Sequence, residues 1–158
     1  MSKSDLKSIH LSEGQSLSTL GNERDLALRD LAEDSVFKPV HHEDSGPYDL
    51  SLTIHDGRLV MDIKGNDGAA LPSLILSIKP YSRLVRDYFM MIDSYETMRR
   101  QGTGCQLETI DMARRGLHNE GAELLIERLD GKIRLDHPTA RRFFTLICIL
   151  HSQNFSQF

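Results

Sequence analysis

Near residue 80 the spacing of apolar residues changes from two to about 3.6, so strands are predicted before that point and helices after it. The sharpest local pattern is in the strand region. Tyr48 to His55 and Arg58 to Lys64 alternate apolar and polar around Asp56-Gly57, a pair that favours a two-residue type I′ turn. If His55 faces Arg58, then Ile54 meets Leu59, Leu52 meets Met61 and Leu50 meets Ile63 on one face, with Ser51 opposite Asp62 on the other. A strand slipped by one residue would turn that apolar set outward, so turn chemistry and pattern fix one register. A third strand is expected around Ser73 to Lys79, where Leu74, Leu76 and Ile78 share a face before Pro80 ends it. Earlier, Lys7 to Ser12 alternates weakly enough for a short edge strand. Glu23 to Asp34 reads as a helix capped by Asn22, and Phe37 to Val40 leads into a polar loop.

After Pro80, Leu84, Val85, Tyr88, Ile92, Tyr95 and Met98 fall on one side of a helix that ends before Gly102 and Gly104. A second helical stretch carries Leu107, Ile110, Leu117, Leu124 and Leu125 as far as Leu129, and Gly131 stops it. Lys132 to Leu135 suits a short strand. Asp136 with Pro138 then opens a last helix through Ala140, Phe143, Phe144, Ile147 and Leu150, apolar almost all round and so expected at the centre. Strands first and helices afterwards predict an α+β fold, a small antiparallel meander packed on one face by a C-terminal group of helices.

The chain has 158 residues, enough to bury a core without staples, and it reads as a single domain with residues 1–6 and 152–158 frayed. Met1-Ser2-Lys3-Ser4-Asp5 is not followed by an apolar signal core, and Phe143 to Leu150 is too short to span a bilayer. Cys105 and Cys148 form neither a redox pair nor a disulfide framework. A cytoplasmic protein without membrane segment or cofactor is the expectation. The net charge of −4 argues against general polyanion binding. The pairs Arg99-Arg100, Arg114-Arg115 and Arg141-Arg142 have acids nearby and lack interleaved aromatics in strands, which makes nucleic acid an unfavoured partner.

The densest chemistry lies between Asp111 and Gly121. Asp111, Arg115 and His118 follow at helical spacings of four and three, with Arg114 adjoining and Asn119 and Glu120 next in line. A carboxylate, guanidinium and imidazole on one face can bind an anion or move a proton. The same residues also make an ordinary salt-bridged helix surface, and spacing alone requires nothing more. Two glycines bear on the choice. Gly121 lies where it would let helices pack closely, whereas Gly116 fits either a continuous helix or a left-handed stop with Asn119 capping a new one. A straight helix would leave the charges as surface support; a break at Gly116 would create a site at the junction.

Other groups carry less. His41-His42 with Glu43 and Asp44 lacks a second ligand pair at zinc spacing, so no metal site is assigned. Gly65-Asn66-Asp67-Gly68 lacks the lysine and helix of a phosphate loop. No complete catalytic motif can be assembled.

Gly46-Pro47-Tyr48, Ile78 to Tyr81, Val85-x-Asp87-Tyr88-Phe89, Ile110 to Gly121 and Thr139 to His151 resemble uncharacterised protein family 0262, over roughly Ile9 to His151. The resemblance implies a bacterial, chiefly alphaproteobacterial protein and brings no activity or site residue with it.

Two functional readings follow. The first is a non-catalytic interaction or regulatory module presenting Arg114 and Arg115 to a protein partner from a flat or convex face. The second is a small enzyme or anion-binding protein using Asp111, Arg114, Arg115, His118, Asn119 and Glu120, which requires a concave pocket with His118 in its wall. Homodimerisation is compatible with either.

Overall fold

The hairpin organises the sheet. In the computed structural model, which describes residues 3–11, 18–101 and 104–155, Asp56 and Gly57 both take positive φ, 52° and 72°, as a type I′ turn requires. The flanking strands, Tyr48–His55 (β5) and Arg58–Lys64 (β6), pair in the expected register, with Leu50 against Ile63, Leu52 against Met61 and Ile54 against Leu59. Leu50, Leu52, Leu59, Met61 and Ile63 are buried. Leu74–Ser77 (β7) adds antiparallel to β6, which completes the meander.

The other edge departs from a pure meander. Leu6–Leu11 (β2) joins β5 in parallel, so the four-stranded sheet is mixed. Nor is the start of the chain frayed from residue 3 on. Lys3–Ser4 (β1) pairs in parallel with Asp34–Ser35 (β3). The Ser4 hydroxyl bonds the Leu31 carbonyl at 2.6 Å and lies 2.7 Å from the Ser35 hydroxyl, while Asp5 accepts from the Phe37 amide and from Lys38 Nζ. Polar composition suggested disorder; satisfied polar partners order the segment instead.

Phe37–Pro39 (β4) is also a strand rather than the entry to a loop, and pairs antiparallel with Ile133–Leu135 (β8). The helix Ser18–Glu33 (α1) begins before Asn22, which is therefore an interior residue and not its cap.

Ser82–Gln101 (α2) follows a short 3₁₀ turn containing Pro80, and Gly104–Arg128 (α3) runs through Gly116 without a break. Gly102 and the side chain of Leu107, both used in the sequence reading, lie outside the described residues. Gly131 has φ 79° and closes the turn after α3. The Asp136 carboxylate accepts from the Thr139 amide at 3.0 Å, capping His137–Phe155 (α4). Every residue from Phe143 to His151 is buried, so α4 takes the central position its all-round apolar surface demands, packed against α1, α2, α3 and β5. No helix among the described residues is long and apolar enough to cross a membrane.

Candidate functional site

The buried stripe of α3 passes through a histidine. Gly121, Ala122, Leu125 and Leu129 are buried, and His118 stands three, four, seven and eleven positions before them, on the same face. Leu117 and Leu124, the stripe anticipated from sequence, are only half-buried. Gly121 brings this face against α4 so closely that a β-carbon there would lie 2.3 Å from Phe144 Cδ1.

Facing His118 on α4 is Thr145, the one hydroxyl in an apolar run. His118 Nδ1 lies 2.9 Å from the Arg114 carbonyl oxygen and Nε2 lies 3.0 Å from Thr145 Oγ1. A carbonyl only accepts, so Nδ1 carries the proton. The neutral ring then accepts at Nε2 from the Thr145 hydroxyl. Thr145 Oγ1 is also 3.4 Å from the Arg141 carbonyl, a longer alternative for the same hydrogen. Burial lowers the imidazole's pKa, reinforced by the charges of Arg114 and Arg141, while the bond to the Arg114 carbonyl opposes that shift. Edge-to-face packing with Tyr88 at 5.5 Å and Phe144 at 5.9 Å between ring centroids holds the ring in place.

Above this pair opens a cleft of about 200 Å³ between α1, α3 and α4. Glu23 and Asp30 of α1, Arg114 of α3 and Arg142 of α4 line it as two ion pairs, Arg114 with Glu23 at 2.6 Å and Arg142 with Asp30 at 3.5 Å. Arg141 also lines it and has no ion-pair partner among the described residues. Leu26, Ala27 and Pro138 supply the apolar part of the wall, with His118 and Thr145 beside them. The fully buried Tyr88 hydroxyl lies in the field of Glu23 and Arg114 and has no hydrogen-bond partner among the described residues; burial raises its pKa well above the usual phenol range.

The six residues grouped from sequence are thus divided. Arg114 and His118 meet in the cleft, and the pocket with His118 in its wall is present. Asp111, Arg115 and Asn119 do not line it. Glu120 is on another side of α3, paired with Arg83 of α2 at 2.8 Å. His118 is oriented by the Arg114 carbonyl and the Thr145 hydroxyl. Arg114 and Arg115 do not form a shared surface patch, because Arg114 turns to Glu23 while Arg115 is exposed.

A junction at Gly116 is not needed for a cleft: Gly116 is exposed inside a continuous helix, and the concavity lies between helices. Sequence reasoning missed Glu23, Asp30, Arg141, Arg142 and Thr145 as site residues. Two signals were available, the Arg141-Arg142 pair and the lone hydroxyl at 145. Among the described residues no group of three His, Cys, Asp or Glu side chains is placed to hold a metal.

The model of the uncharacterised protein family UPF0262 matches residues 3–153, from β1 into the last turns of α4. The chain belongs to that family. Every residue that lines the cleft falls inside the matched region. UPF0262 proteins similar to this chain include one of Erythrobacter litoralis, 53% identical over 132 residues and 82% of each chain. One of Rhizobium meliloti is 48% identical over 138 residues, 87% of each chain. One of Hyphomonas neptunium is 47% identical over 155 residues, covering 96% of this chain and 95% of its own. These are alphaproteobacterial proteins, in agreement with the resemblance drawn from the motifs. No solved structure matches the chain.

Proposed function

We propose that this protein is a non-catalytic module that binds a small anion in the cleft between α1, α3 and α4. The observation that carries this reading is Arg141, a guanidinium in a concave wall without an ion-pair partner among the described residues, flanked by two arginines that have theirs. A guanidinium offers a planar fork of donors matched to an oxyanion. The N-terminal end of α4 adds a favourable field, although its Thr139 and Ala140 amides are already bonded to Asp136. The anion therefore rests on a side chain rather than on free backbone N–H groups. A binding role fits better than proton transfer, because both ring nitrogens of His118 are already engaged inside the protein.

The test is thermal unfolding with acetate, butyrate, sulfate and phosphate at constant ionic strength. A ligand at a hundredfold excess over Kd adds about 2.7 kcal/mol, which at roughly 2–4 °C per kcal/mol raises Tm on the order of 5–10 °C. Arg141→Gln is expected to abolish the shift, and Glu120→Gln, on another side of α3, to leave it intact. Equal shifts in wild type and Arg141→Gln, or no shift with any anion, would overturn the reading.

A further inference from the structure

We infer that the anion is a small monocarboxylate with a short aliphatic body, its carboxylate on Arg141 and its body against Leu26, Ala27 and Pro138. This rests on the anion-binding reading and narrows it to a ligand class.

Charge comes first. Three arginines against two carboxylates leave one positive charge over in the cleft, and that charge is Arg141. A carboxylate matches it one for one. A phosphate dianion would need Arg114 or Arg142 as well, and drawing either away frees the Glu23 or Asp30 carboxylate in the same small space. The released acid then repels the ligand that displaced it. His118 brings no further cation, since its Nδ1 proton is committed to the Arg114 carbonyl and its Nε2 accepts from Thr145.

Shape and polarity come second. At about 200 Å³ the cleft suits a ligand of a few heavy atoms and not a nucleotide. Its apolar patch has no counterpart in a naked inorganic anion. Leu26 is 44% exposed at the cleft, and an aliphatic chain laid on it would remove that surface from water. Full burial of a methylene strengthens binding about fourfold, so two added methylenes bring at most about fifteenfold.

Isothermal titration of the full chain with acetate, butyrate and phosphate, at constant ionic strength and slightly alkaline pH, tests the class. Butyrate is expected to bind several-fold more tightly than acetate and about tenfold or more tightly than phosphate. Arg141→Gln should cost butyrate at least about tenfold. Arg141→Lys keeps the charge and removes the fork, and a several-fold loss is expected there too, which covers the case in which the Gln variant does not fold. Leu26→Asn should shrink the butyrate-to-acetate ratio toward one. Phosphate binding more tightly than butyrate overturns the monocarboxylate and leaves an anion site standing. Equal acetate and butyrate affinities overturn the aliphatic wall. Binding of none of the three removes both this inference and the reading under it.

Discussion

Two glycines five residues apart on α3 should respond to the same substitution with opposite sign. Gly116 is helical and exposed, and a β-carbon there meets nothing within 4 Å. Gly116→Ala therefore keeps only the propensity gain, about 0.8–1 kcal/mol of added stability. Gly121→Ala gains the same, but its new methyl would lie 2.3, 2.4 and 2.6 Å from Phe144 Cδ1, Cγ and Cε1. Those atoms are the near side of a fully buried ring set edge-to-face against His118 and Tyr88, so the ring cannot swing away cheaply. Overpacking of this kind costs typically ~1–3 kcal/mol, occasionally more. The propensity gain is common to both variants and cancels, so they should differ by the overpacking cost alone, roughly 1–3 kcal/mol or somewhat more. Urea unfolding followed by circular dichroism, with a shared m value, measures the difference directly. If Gly116→Ala instead destabilises by a kilocalorie or more, the residue has a left-handed backbone and α3 is broken there. If Gly121→Ala stabilises as much as Gly116→Ala, α3 and α4 do not pack as described.

The His118–Thr145 pair yields a second test. Thr145→Val leaves Nε2 buried without its donor and should cost about 1–3 kcal/mol in the same assay, while Thr145→Ser, which keeps the hydroxyl, should cost about 1 kcal/mol or less. The third concerns pH. His118 and His151 both have pKa values lowered by burial from the usual 6.5. On acidification the unfolded chain takes up protons first, so stability is full above about pH 7 and falls as the pH drops through 6.5 toward the folded values. The slope reaches at most about 1.4 kcal/mol per pH unit for each histidine, and His118→Gln should flatten it. A pH-independent stability from neutral to mildly acid conditions would contradict the neutral, buried imidazole.

Legibility in the sequence followed the range of the physics. The hairpin was readable in full because Asp56-Gly57 and strict alternation act within a few residues. The central place of α4 was readable too, since a helix apolar on every side has nowhere else to go. The parallel docking of β2 on β5 and the pairing of β4 with Ile133–Leu135 were not, because each depends on partners brought together only after the intervening helices have packed. At the site, spacing along α3 gave Arg114 and His118 but assigned them to a polar face with Asp111 and Arg115. The core stripe through Gly121, Ala122 and Leu125 shows why His118 turns inward. Charge pattern along one helix also could not reveal that the cleft's remaining walls come from Glu23 and Asp30 on α1 and from Arg141 and Thr145 on α4. Those residues stand far apart in the chain, and only the helix packing assembles them.

The anion site stands or falls on Arg141. Nitrogen-15 side-chain spectra of the arginines, recorded while butyrate is titrated into the full chain, follow each Nε–Hε group separately. The Arg141 resonance should move and saturate, with Arg83, paired to Asp87 and Glu120 on another side of α3, left unchanged. An Arg141 signal that stays fixed, or arginine signals that all drift together without saturating, would contradict a site in this cleft.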